Sequence, residues 1–180
     1  MVPLAMFGWL PFSLWLFSRL PPRYAVIAAF ALGWMFLPQY SYGISGLPDY
    51  SKVTAMGIGI LLGTIVFNPQ ILQRFRPHIL DLPLIAWCLI PFFTSVSNGL
   101  GPYDGLSGVL NRTAMWGLPY FIGRLYFDNR QALAELAFGL FIAGLIYMPF
   151  CLWEVVMSPR LHKIVYGWHP HDFGQAKRGG

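Results

Sequence analysis

Residues 132–157 read ALAELAFGLFIAGLIYMPFCLWEVVM, twenty-six positions in which Glu135 and Glu154 are the only charged side chains. About twenty consecutive apolar residues are enough for a helix to cross the ~30 Å hydrocarbon layer of a bilayer. This run therefore predicts a membrane span, and the rest of the chain has the same character. Of its 180 residues 56% are hydrophobic and 11% charged, with a mean hydropathy of +0.55. An ordinary soluble domain carries about 25% charged residues.

Working outward from 132–157, further apolar runs fall at about 2–18, 24–42, 53–67, 80–97 and 109–127. The expected fold class is all-α, a polytopic transmembrane bundle of about six spans over 1–157, followed by a polar segment, 158–180. The run at 109–127 is the weakest, because it holds Arg112, Arg124, Gly117 and Pro119; a broken or partly interfacial helix is expected there. The first run, VPLAMFGWLPFSLWLF, has no basic segment before it and no small-residue cleavage site, so it reads as a span and not a signal peptide.

The connections give an orientation. The first, third and fifth carry Arg19, Arg23, Arg74, Arg76, Arg124 and Arg130, while the second and fourth carry Lys52 and Arg112. Basic residues concentrate on the cytoplasmic side of membrane proteins. The odd connections are thus expected inside, and the segment after Met157 outside. Net charge is +5, but no basic stripe of the nucleic-acid-binding kind is present. Cys88 and Cys151 both fall in apolar runs and read as small buried hydrophobes. Tyr40, Tyr42, Trp153 and Trp168 near span ends suit interfacial aromatic belts.

Ionisable groups in or near apolar runs are candidates for function, because each costs several kcal/mol in lipid unless paired. Arg112, Arg124, Glu135 and Glu154 are of this kind. Arg124 and Glu154 are close enough to span ends to snorkel, and Glu135 is expected to pair with Arg130 or Arg124. The fourth connection, SNGLGPYDGLSGVLNRT, reads as an irregular, turn-rich loop, or alternatively as a re-entrant segment turning Asp104 and Arg112 towards a cavity.

The tail, YGWHPHDFGQAKRGG (166–180), is the most polar stretch. His169 and His171 flank a proline and cannot share a helical face. With His162 and Asp172 they could form a metal set on paper, but no cysteine joins them and no metal is expected. No GxSxG elbow is present either. Arg160, Lys163, Lys177 and Arg178 suit an anion at the bilayer surface, either lipid headgroups or a lipid-linked pyrophosphate that Arg grips bidentately.

Three stretches, NGLGPYDGLSGVLNRTAMWGLPYFIGRLYF, CLWEVVMSPRLHKIVYGWHPHDF and QAKRGG, together resemble the O-antigen ligase and O-antigen polymerase superfamily, in its O-antigen ligase-like branch. The resemblance implies a bacterial inner-membrane glycosyltransferase of roughly a dozen spans with a large external loop, of which this chain would be the N-terminal part, inactive alone. It implies an undecaprenyl-diphosphate-linked glycan as donor and an acceptor glycan or lipid A core, with no cofactor, metal or nucleic acid. Arg178, before two glycines, matches an Arg-Gly pattern early in that loop and becomes the expected pyrophosphate ligand, with Arg160 and Lys177 as companions. The family's catalytic histidine lies later in the loop, so His169 and His171 are only weak candidates for the base. A transporter or flippase of a lipid-linked or anionic substrate is the alternative reading of the same composition.

Overall fold

The computed structural model describes residues 1–43, 48–157 and 161–168. It is almost entirely helical. Helix α1 (Val2–Arg19) opens on Pro3, which the first helical turn tolerates because the N–H that proline lacks would have no intrahelical partner there. Inside α1, Pro11 removes one backbone donor, and Ser13 turns its hydroxyl back to the Trp9 carbonyl at 2.9 Å. Helix α2 (Pro22–Phe36) starts straight after Pro21, and a short antiparallel pair, β1 (Ser41–Tyr42) with β2 (Tyr50–Ser51), joins it to α3 (Lys52–Phe67). Ser51 caps α3 by accepting from the Thr54 N–H at 3.4 Å.

The compact part of the molecule is α1, α2 and α3 packed around Met6, Leu16, Val26, Ala29, Met56 and Ile60. The approach of α1 to α3 depends on small residues. A methyl group at Gly59 would lie 2.6 Å from Ser13 Oγ, and one at Gly63 would lie 2.5 Å from the Phe17 ring. Buried hydroxyls are satisfied across elements, with Tyr50 donating to the Met6 carbonyl at 2.8 Å and Thr64 and Tyr126 sharing a 2.9 Å hydrogen bond.

A 3₁₀ turn (Pro69–Arg74) and a second one (Ile79–Asp81) lead into α4 (Leu82–Ser97). The chain reverses through Asn98–Gly101, where Gly99 and Gly101 take φ of 74° and 95°, the left-handed region open to glycine. It then runs helically from Pro102 to Tyr126 as α5 (Pro102–Arg112), a π-helical turn (Thr113–Gly117) and α6 (Leu118–Tyr126). Glycines again set the contact, since Gly105 and Gly108 lie against Phe92 and Pro91 of α4. Helix α7 (Arg130–Met157) begins under an Asn129 cap, whose side chain accepts from the Ala132 N–H at 2.9 Å, and Gly139 seats it against Ile27 of α2. A short α8 (Leu161–Tyr166) follows.

The expectation of a six-span bundle is corrected by these lengths. Among the described residues only two helices are long and apolar enough to cross a membrane, Ile79–Ser97 and Arg130–Val156. At 1.5 Å per residue, α2 with 15 residues and α3 with 16 reach only about 22–24 Å, short of a ~30 Å hydrocarbon layer. Helix α1 packs one side into the core through Met6, Trp9, Ser13, Leu16 and Phe17, and the 109–127 run divides between α5, the π turn and α6. Helices α2 and α3 fall short in length, whereas α1, at 18 residues, is long enough but less apolar than the two long helices.

The two long helices are not the buried cores of a soluble fold. Only 11% of the apolar window in Ile79–Ser97 and 6% of that in Arg130–Val156 is buried, and Phe93, Phe138, Phe141 and Ile146 stand exposed. Contiguous exposed apolar surface of this kind marks contact with lipid or with another protein.

Candidate functional site

The two ends of the molecule differ chemically. At one end meet the C-terminus of α1, the start of α2, the 3₁₀ turn after α3, the last turn of α6 and the first turns of α7, and a cleft of about 410 Å³ opens between them. Arg23, Arg74, Asp128, Glu135, Asn68 and Tyr126 supply its polar wall. Arg23 reaches Glu135 at 3.6 Å, and Gln131 donates to the same carboxylate at 3.2 Å. Glu135 therefore pairs with an arginine 112 positions earlier, not with Arg130 or Arg124 as sequence proximity suggested.

Beside this cleft lies a tighter network around Asp81, which is only 5% exposed. One carboxylate oxygen accepts the His78 backbone N–H at 2.7 Å; the other accepts the Tyr120 hydroxyl at 2.5 Å and has Arg124 Nε at 3.3 Å. Arg124 also donates to the Arg76 carbonyl at 3.1 Å. Its partner is thus a buried carboxylate, and the snorkelling reading is replaced by an ion pair. The hydrogen bond to Asp81 holds the Tyr120 hydroxyl above its ordinary ionisation range, because losing the proton would set a phenolate against a carboxylate. Asp81 gives no signal in apolar periodicity; the His78–Asp81 spacing, a reciprocal cap just before an apolar run, is what could have found it.

The opposite end is aromatic. Helix α7 carries the chain from Glu135, at the arginine-rich end, to Tyr147 and Phe150, which pack edge-on or tilted around Phe36 at the end of α2. There α8 docks: Tyr166 donates to the Phe36 carbonyl, Trp168 meets Tyr40 at 6.0 Å, and His162 lies between Tyr166 and Trp168. Glu154 accepts the Leu161 N–H at 3.2 Å and so holds the first turn of α8, a role the sequence did not suggest.

The fourth connection is not an irregular loop, since only Asn98–Gly101 is non-helical before α5 begins at Pro102. Asp104 sits in the first turn of α5, where its charge suits the helix dipole, and Arg112 places its guanidinium 5.1 Å from the Trp87 ring. Cys88 is buried, but Cys151 is exposed on α7, so the reading of both as buried is corrected for one.

The residues singled out for pyrophosphate, Arg160, Lys177 and Arg178, and the histidines His169 and His171 lie outside the described residues. Among the described residues no group of three His, Cys, Asp or Glu side chains is placed to hold a metal ion. Comparison with protein families, curated proteins and solved structures gives no match.

Proposed function

We propose that this chain belongs to an O-antigen ligase-like glycosyltransferase of a bacterial inner membrane, which moves glycan from an undecaprenyl-diphosphate-linked donor to an acceptor sugar hydroxyl on a glycan or on lipid A core. One observation supports the arrangement: α7, whose long apolar surface is exposed, runs from the arginine-rich end to the aromatic end. With the arginine-rich end cytoplasmic by the positive-inside rule, the segment after Met157 emerges on the outer face, where a flipped lipid-linked donor presents its pyrophosphate. Arg178, with Arg160 and Lys177, then holds the departing diphosphate, whose negative charge grows as the glycosidic bond breaks. Because the diphosphate is already a good leaving group, the protein's work is to position two substrates and stabilise that charge.

The test is a chromosomal Arg178→Ala substitution with the glycan products followed by gel. Loss of transfer at unchanged protein level supports the proposal, and an unchanged glycan pattern refutes the assignment of Arg178. A second reading, a transporter or flippase of a lipid-linked anion, is favoured by the π-helical turn at Thr113–Gly117 beside Arg112, since discontinuous helices commonly line transport sites. Vesicles loaded with lipid-diphosphate glycan separate the two: covalent product means transfer, and movement across the bilayer without product means transport.

A further inference from the structure

The cleft at the arginine-rich end has no part in the proposed transfer. Two cations, Arg23 and Arg74, and two carboxylates, Asp128 and Glu135, line it together with Asn68 and Tyr126. Among the described residues the ion pairs are Arg23–Glu135 and Arg124–Asp81, so Arg74 and Asp128 are not engaged with opposite charges. The cleft is open to the surface and measures about 410 Å³, room enough for a headgroup-sized group. The cleft adjoins the first turns of α7, and Tyr24, 50% exposed, stands on its rim as tyrosines do at the headgroup level of a bilayer.

We infer that this cleft binds the headgroup of a zwitterionic phospholipid bearing a primary ammonium, phosphatidylethanolamine in chemical class, with phosphate on Arg74 and Arg23 and ammonium on Asp128 and Glu135. A purely anionic headgroup meets two carboxylates and is disfavoured, because like charges brought together cost binding energy. A choline headgroup carries the right charge but has no N–H to donate to the carboxylates. Guanidinium groups suit phosphate because their planar donor fork matches its oxygens. The inference rests on the membrane reading of α7, and is independent of which reaction the outer face performs.

The experiment reconstitutes the chain in nanodiscs containing equal parts phosphatidylethanolamine, phosphatidylcholine and phosphatidylglycerol and identifies retained lipid by native mass spectrometry. The wild type is expected to retain phosphatidylethanolamine over either competitor by about fivefold, equivalent to ~1 kcal/mol. Arg74→Gln should lower retention of every phospholipid, whereas Asp128→Asn should shift preference towards phosphatidylglycerol, and circular dichroism verifies that both variants remain helical. Equal retention of the three lipids, or an unchanged preference in both variants, overturns the site. Tight binding of free phosphoethanolamine in detergent without lipid overturns the lipid as its source. Failure to enter nanodiscs overturns the membrane reading as well, while entry without selectivity overturns the cleft alone.

Discussion

Replacing Gly63 by alanine tests the packing that holds α1 on α3. The added methyl carbon would sit 2.5 Å from Phe17 Cδ2 and 2.8 Å from two more carbons of the same ring, and Phe17 is only 5% exposed. A rigid ring with little free space cannot swing away, so α1 has to shift or Phe17 has to leave its rotamer. Such overpacking costs ~1–3 kcal/mol. Against it stands the gain of about 1 kcal/mol from removing a glycine inside a helix. The net expectation is destabilisation by up to ~2 kcal/mol, a fall in Tm of up to a few degrees for a chain of this size. Gly144→Ala is the matched control, because its methyl would meet nothing within 4 Å and only the helix gain applies. Thermal unfolding in detergent, followed by circular dichroism, should therefore move the two variants in opposite directions. Combining Gly63→Ala with Phe17→Ala should erase the penalty, since a clash with the ring cannot outlast the ring. If Gly63→Ala is as stable as Gly144→Ala, or if its penalty persists without the Phe17 ring, the close approach of α1 and α3 is wrong.

Tyr120→Phe removes the hydroxyl that donates to Asp81 and should destabilise the protein below pH 10. The folded state raises the ionisation of Tyr120 above its ordinary 10.0, so the contribution is fully present below that value and fades as pH rises through the folded one; unfolding measured from pH 8 to 11 should show wild type and variant converging, and parallel curves would refute the coupling. Phe141→Arg, at an exposed position near the middle of α7, should impede membrane insertion by ~2.5–3.5 kcal/mol in a translocon glycosylation assay; unimpeded insertion would refute a lipid-facing α7. In a Cys151→Ser background a water-soluble maleimide should label buried Cys88 only on unfolding; labelling of the folded protein would contradict the packing of α4 on α5 and the π turn.

What the sequence revealed depended on how local the deciding interaction was. The length and apolarity of α7 were legible, because a long apolar run with polar ends suffices to specify such a helix. Helices α2 and α3 read as spans because apolarity alone does not distinguish a helix long enough for a bilayer from one that packs on its neighbours, and α1 reads as one although it is less apolar than the two long helices. Helix α5 was hidden by Pro102, Gly105 and Gly108, which resemble turn residues but serve as a helix start and as contact points for Phe92 and Pro91. The polar network was the least legible. Arg23 finds Glu135, and Arg124 finds Asp81, across separations that only the fold closes. Arg160, Lys177 and Arg178 were chosen from charge and resemblance, and their placement was never accessible to periodicity.

The central claim is that α7 carries the chain across a membrane, from the arginine-rich end to the face where the polar segment begins. Cysteines placed singly at Asp128 and at Lys163, in a Cys88→Ser, Cys151→Ser background, can be probed in intact cells with a membrane-impermeant maleimide. The account predicts that the cysteine at 163 is labelled from outside and the one at 128 only after the membrane is opened. Labelling of both from the same side would contradict it.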